Sequence, residues 1–292
     1  MKEFHFFDLD HTLWEMENYA WVIDKNKPEI PLVKITLNEL LMIKKGFYRN
    51  DNLKINYNGQ EFYISKQLMD KIQKKKIVGI NNLGISYIEM TSPEYINTTK
   101  TTFLTKNIMH LIGRDDIKII ILTGRNNRQK HEKVLNLLRL KLQEMGLEIF
   151  KIYFIGDEMK IENDEEISYR KAVVLLEHMV GIKTEDNTFV PLKQDFSNSI
   201  YFYDDEIQNI NSANNIQSIF DKIYRNTTNE DVKKIIIDRI KNMNLTLCTN
   251  LVGTNEINRF TKKMINLILP EIFTAKVQEN LRNIKSFRKF LD

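Results

Sequence analysis

The chain has 292 residues, 42% of them hydrophobic and 28% charged, with a net charge of +4. That length can bury a substantial core in one or two domains, and the balance is that of an ordinary soluble globular protein. No run approaches the length of a membrane span and the N-terminus moves at once into a charged motif, so neither a membrane partner nor a signal peptide is predicted.

The single cysteine, Cys248, cannot close an internal disulfide and fits a reducing, cytoplasmic setting. Its strand-like surroundings, Thr246 to Val252, make it a packed small residue rather than a nucleophile. Charge is unevenly placed. Thr261 to Asp292 holds seven Lys or Arg and three Asp or Glu, an excess equal to that of the whole chain, so the body is balanced and the tail basic. The wealth of Lys, Asn and Ile suggests an AT-rich genome, with phages and large viruses among the candidates.

In chain order, Phe4 to Phe7 is a short apolar run that reads as a buried strand, and it leads directly into Asp8-Leu-Asp-His-Thr12. In an open parallel sheet, ligands bind beyond the carboxyl ends of strands, which is where Asp8 and Asp10 would sit. Two crowded carboxylates need a cation or a shared proton, and Mg²⁺ suits hard oxygen ligands while keeping several waters. A long stretch from Glu15 to Asp116 follows. Within it, Leu53–Tyr57 and Glu61–Ser65 flank Asn58-Gly59, the strongest short hairpin signal. Asn38–Lys45 and Lys66–Lys75 have helical spacing, and Lys74 to Lys76 reads as a solvated helix end. This stretch is predicted to be a small mixed α/β insertion.

Phe103–Ile112 reads as a helix, followed by the strand Ile117–Leu122 and then Thr123-Gly124-Arg125. Gly124 would let the backbone turn sharply and approach a ligand, while Arg125 would contact substrate or pair with a surface carboxylate. Asn127–Met145 is an amphipathic helix ending near Gly146, and Phe150–Ile155 is another strand. The acidic loop Asp157–Glu166 lacks calcium-loop spacing. Ser168 is placed to cap a helix over Ala172–Val180. Ser199–Tyr203 is a strand ending in Asp204-Asp205-Glu206. Ile216–Arg225 and Glu230–Met243 read as helices, Leu245–Val252 as the last strand of the sheet, and Phe260–Leu291 as helix interrupted at Pro270.

The order FDLDHTLW, insertion, ILTGR, YRK before a helix, and YFYDDE resembles the motif series of the haloacid dehalogenase superfamily. The resemblance implies an α/β fold with a doubly wound parallel sheet, its core made of residues 1–14 and 103–260. Residues 15–102 would be an inserted cap that selects substrate, and 261–292 a helical basic tail. It also implies roles. Asp8 would attack phosphorus and form an aspartyl-phosphate, and Asp10 would act as general acid and then base. Mg²⁺ would be held by the Asp8 carboxylate, the Asp10 backbone carbonyl and Asp204, with Asp205 in support. Thr123 and Lys171 would steady the phosphoryl oxygens, with Lys160 the fallback for the lysine, and Gly124 and Arg125 would meet substrate. Asp10 argues for a phosphate over a halide leaving group, since a halide needs no proton.

The layout looks like the phosphatase modules of nucleic-acid end repair and related phage proteins, so nucleic-acid 3′-phosphate ends or nucleotides join small phosphomonoesters as expected substrates. No phosphate-binding loop of kinase type is present. A rival reading is a non-catalytic binding or structural protein, including a virion component, that keeps the fold.

Overall fold

The computed structural model describes residues 2–16, 19–87, 96, 99–102, 104–105, 108–111, 113–124, 132–155, 164–252 and 261–270. They fall into two compact units. The first takes the described residues within Met1–Leu13, Thr102–Gln129 and Leu142–Asp292, the second those within Trp14–Thr101 and Lys130–Lys141. The sequence reading draws the insertion at 15–102 and leaves 130–141 in the core.

The chain enters the first unit through β1 (Glu3–Phe7), whose Phe4, Phe6 and Phe7 are buried. The second unit then carries β2 (Trp14–Met16), β3 (Ala20–Asp24), β4 (Lys27–Ile35), α1 (Leu37–Lys44), β5 (Lys54–Tyr57), β6 (Gln60–Tyr63), α2 (Lys66–Lys75), β7 (Leu83–Tyr87) and β8 (Thr99–Thr101). Strands β2 and β8 pair antiparallel, Trp14 opposite Thr101. Strands β4, β3 and β7 form a three-stranded antiparallel sheet in that order. Pro28 and Pro31 sit on β4 because it is an edge strand, where a missing N–H leaves no gap in the ladder. Asn58 and Gly59 both have positive φ, 49° and 76°, the turn that suits a two-residue hairpin between β5 and β6. Thr36 and Glu39 form a reciprocal capping box on α1, and the Ser65 hydroxyl accepts from the Leu68 amide to cap α2. Val22, Ile35, Leu40, Ile43, Ile55 and Ile72 close this unit's own core. Lys76 is more than a solvated helix end: its ammonium pairs at 2.5 Å with buried Asp24, whose carboxyl it holds below the usual range.

Next in the chain come β9 (Ile117–Thr123) in the first unit, α3 (Glu132–Glu144), whose residues up to Lys141 belong to the second unit, and then, in the first unit again, β10 (Ile149–Phe154), α4 (Asp164–Val180), β11 (Ile182–Glu185), β12 (Thr188–Lys193), β13 (Ser199–Asp204), α5 (Ile207–Asn214), α6 (Ile216–Asn226), α7 (Glu230–Asn242), β14 (Thr246–Leu251) and β15 (Thr261–Asn266). The fold is mixed α/β, with a mostly parallel six-stranded sheet ordered β10-β9-β1-β13-β14-β15. From β1 the chain builds outward to β9 and β10 on one side and then to β13 and β14 on the other, so the order reverses between β1 and β13. In register, Phe6 lies between Ile120 and Phe202, and α4 packs Val173, Leu176 and Met179 into the same core.

The structure departs from the sequence reading at other places too. Helix α4 starts at Asp164, so Asp164 to Glu166 form its first turn instead of a loop and Ser168 lies inside it. Thr261–Asn266, read as the start of a helical tail, is strand β15, which runs antiparallel to β14 and displaces it as the last strand. It gives the outer edge of β14 its hydrogen-bond partners, and Lys262 and Lys263 suit an edge strand. Residues 271–292, the rest of the predicted tail, lie outside the described residues, as do Phe103, Ile112 and parts of the helix predicted between them; Ile108–Leu111 there is a 3₁₀ turn.

One polar cluster is buried in this core. The Nε2 atom of His178 on α4 lies 2.7 Å from the Tyr153 hydroxyl, to which Gln194 Nε2 also donates at 2.7 Å. Burial, reinforced by the charges of Lys151, Lys183 and Lys118, pushes the His178 imidazole from 6.5 down to about 3. The folded protein therefore keeps it neutral while the unfolded chain protonates near 6.5. This group's stabilisation is present above pH 6.5 and is lost as pH falls towards 3. We expect His178→Gln to shrink the stability loss between pH 7 and pH 5 by about 2 kcal/mol, read from urea midpoints at the two pH values. Identical losses in parent and variant would mean that the imidazole is not held neutral.

Candidate functional site

Asp8 follows β1 directly, and its amide donates to the Tyr203 carbonyl at 2.9 Å, extending the ladder by one residue. Asp204 is the last residue of the neighbouring β13. The register that builds the sheet thus sets two buried carboxylates side by side at its carboxyl end, where the strand order reverses and open α/β sheets bind ligands.

The loop after Asp8 is held from several directions. His11 adopts φ +59°, and the Leu13 amide donates back to the Leu9 carbonyl at 3.1 Å. The Thr102 hydroxyl donates to the Thr12 carbonyl at 2.6 Å, and the Thr105 hydroxyl donates to the Leu13 carbonyl. The Thr12 hydroxyl in turn donates to Asp205 Oδ1 at 3.1 Å, which ties the first acidic loop to the second.

Lys171 stands between the carboxylates. It lies on α4, is 2% exposed, and its ammonium donates to Asp8 Oδ1 at 2.7 Å and to Asp204 Oδ2 at 2.8 Å. Asp204 is held further. Its Oδ1 accepts from the Glu206 amide and from Asn209 Nδ2, both at 2.9 Å. Asn209 is itself aimed by the Ser168 hydroxyl, which donates to its Oδ1 at 2.7 Å.

Negative charge outweighs positive here. Carboxylate oxygens of Asp8, Asp204 and Asp205 lie within 4.8 Å of one another, with Lys171 the cation among them. Burial raises the Asp8 carboxyl, and Asp204 and Asp10 add to this while Lys171 opposes it; Asp8 ends well above its usual value. Asp205 is pushed up to about 6 by burial and by Asp204. Burial would lower Lys171, but Asp204 and Asp8 more than offset it and keep the ammonium charged. Three converging hard oxygen donors carrying excess negative charge fit a small divalent cation such as Mg²⁺. The carboxylate of Asp10 is not one of the three; it lies two residues further along the loop, half-buried, close enough to raise Asp8.

The predicted residues therefore divide. Asp8, Lys171, Asp204 and Asp205 come together. Thr123 ends β9, next to β1, and is 1% exposed. Gly124 has no positive φ; a Cβ there would come 3.1 Å from Ile167 Cγ2, so the glycine serves close packing against α4 rather than a sharp turn. Arg125 and Lys160 lie outside the described residues. Sequence reasoning gave Ser168 a capping role only and missed Asn209, since nothing links two polar residues 41 apart until α4 and α5 pack. Thr12 was visible in the first motif but was given no role. Comparison of the chain with protein-family models, with curated proteins and with solved structures finds no match in any of the three.

Replacing the ammonium with an apolar group of similar length should expose the repulsion it offsets. We expect Lys171→Met to lose about 3 kcal/mol or more of stability at pH 7.5, read from the urea midpoint, because two buried carboxylates lose their counter-charge. A loss below about 0.5 kcal/mol would mean that Lys171 is not their main compensation.

Proposed function

We propose that the chain is a Mg²⁺-dependent phosphomonoesterase of the haloacid dehalogenase type, with a doubly wound core and an aspartyl-phosphate intermediate. The observation that supports this best is Lys171 bridging Asp8 and Asp204, with Asp205 beside them, at the reversal of the strand order. The motif series FDLDHTLW, ILTGR and YFYDDE supports the same reading.

In this mechanism Lys171 favours the anionic form of Asp8 against the burial that raises it, and commits one oxygen, leaving the other for attack on phosphorus. The phosphorus–oxygen bond to the leaving group breaks as the bond to Asp8 forms, and Asp10 gives its proton to the departing oxygen. Asp10, now a carboxylate, takes a proton from water. That water attacks the phosphorus and returns Asp8 as a carboxylate with release of phosphate. Thr123, at the end of the adjacent strand, and Lys171 donate to phosphoryl oxygens. Bound Mg²⁺, held by Asp8 and Asp204 with the Asp10 carbonyl and with Asp205 in support, would neutralise charge on the phosphoryl group. We propose nucleic-acid 3′-phosphate ends or nucleotides as substrates, on the resemblance to end-repair phosphatase modules, and the inserted unit as the part that selects among them.

Asp8→Asn should abolish turnover of an aryl phosphate with Mg²⁺, by roughly three orders of magnitude or more, with an unchanged circular dichroism spectrum. Parental turnover would remove Asp8 as nucleophile. Asp204→Ala should weaken the Mg²⁺ dependence of turnover far more than Asp205→Ala, and the reverse ranking would make Asp205 the main ligand. A panel of 3′-phosphorylated oligonucleotides, nucleotides and sugar phosphates then ranks the substrates, and no turnover of any would favour a binding role for the fold.

A further inference from the structure

The opposite end of the same sheet has the opposite charge. Lys2, just before β1, Lys118 on β9 and Lys151 on β10 step diagonally across three adjacent strands: Lys118 lies opposite Phe4 and Lys151 opposite Ile120, so each is about 8 Å along the sheet from the one before. With Lys193 at the end of β12 and Arg239 on α7 they line a hollow of about 780 Å³, in which Asp195 is the one acidic lining residue among the described residues. None of these five cations forms an ion pair with a described residue. A smaller hollow of about 510 Å³ shares Lys2 and Lys118 and adds Arg114, which already pairs with Asp116, together with Asp115 and Glu148.

Aromatic rings are interleaved with the cations. Lys118 Nζ stands 3.3 Å from the centre of the Phe150 ring, and the Arg239 guanidinium 4.6 Å from that of Phe196. Phe150 and Phe196 are 43% and 38% exposed, which is unusual for phenylalanine. Arg239 Nη1 is buried against Gly181 with no hydrogen-bond partner among the described residues, so its neighbourhood is short of acceptors. Crowding has a cost in the free protein: burial lowers Lys118 and Lys2 adds to the effect, with only Asp195 opposing.

Five cations in one concavity, none paired with a described residue, ask for a polyanion, and accessible rings, Phe196 in that hollow and Phe150 in the smaller one that shares Lys2 and Lys118, ask for flat, unstacked bases. We propose that this amino-terminal face of the sheet is a docking site for single-stranded nucleic acid, its phosphates held by Lys2, Lys118, Lys151 and Lys193 and its bases stacked against Phe150 and Phe196. A duplex hides its base faces, and an acidic peptide offers charge without rings, so both match the surface less well. The site is separate from the acidic cluster at the other end of the strands and needs neither metal nor turnover.

The test uses the full chain in EDTA and a fluorescein-labelled oligothymidylate of about twenty nucleotides with a 3′-hydroxyl, read by anisotropy over a salt series. A 3′-hydroxyl strand is no phosphatase substrate, so failure here leaves the proposed activity untouched. The triple variant Lys118→Gln, Lys151→Gln, Lys193→Gln should bind about tenfold more weakly or worse, with a log–log salt slope shallower by about 2. The double variant Phe150→Leu, Phe196→Leu should weaken binding about fivefold or more with the slope unchanged, because it removes stacking and no charge. If circular dichroism shows the triple variant unfolded, exposed Lys193→Gln alone should still reduce the slope by about 0.7. Absence of binding by the parent, parental affinity and slope in the charge variants, or competition by polyglutamate as strong as by unlabelled oligothymidylate would each overturn the proposal.

Discussion

The ammonium of Lys171 is the contact on which the first unit's architecture turns. Parallel pairing of β1 with β13 leaves no choice about where Asp8 and Asp204 go, because the ladder continues from Tyr203 to the Asp8 amide. Two buried carboxylates at that spacing repel each other, and a low-dielectric setting enlarges the cost. Relief has to come from a third element, and α4 supplies it by entering the sheet at a height that carries Lys171 between them. Such a triad is seldom the most stable way to fill a core, since desolvation of the charges offsets much of their attraction. What it does provide is a fixed position: each oxygen of Asp204 has a named donor, and only one oxygen of Asp8 is engaged by the lysine.

The same winding that creates the acidic end creates a basic one. Strand ends of a parallel sheet are chemically distinct, because loops of one kind gather at each end. Here the carboxyl end collects Asp8, Asp10, Asp204 and Asp205, and a hollow away from that end collects Lys2, Lys118 and Lys151. A net charge of +4 conceals this polarity. A phosphate-bearing ligand would meet the two ends on different terms: near the carboxylates it depends on a cation, and near the lysines it does not.

The second unit is built by shorter-range rules. Its turns and caps are local devices, such as Asn58-Gly59 between two strands, Thr36 with Glu39 on α1, and Ser65 on α2. Its three-stranded sheet is different, since β3 pairs with β7 across the whole hairpin and both helices. Lys76 and Asp24 make a similar long link, 52 residues apart, so a lysine that looks like a solvated helix end holds a buried carboxylate.

How much of this was legible in the chain follows from the range of each signal. The strands Phe4–Phe7, Ile117–Leu122 and Ser199–Tyr203, their polar ends and the Asn-Gly hairpin could be read because apolar runs, caps and turns are encoded within a few residues. Strand β4 escaped because Pro28 and Pro31 argue against a strand until its edge position is known, and β15 escaped because its basic, half-polar run has no period of its own. The early start of α4 was hidden because the acidic stretch before Ser168 reads as loop from its composition. Asp8, Asp10, Asp204 and Asp205 could be placed at strand ends from the sequence, because position along a strand is a local property. That Lys171 lies between two of them, that Ser168 aims Asn209 at Asp204, and that lysines from three strands share one hollow were decided only by tertiary structure. Those are meetings between residues tens to hundreds of positions apart, and periodicity records which face a side chain takes but not what it will meet there.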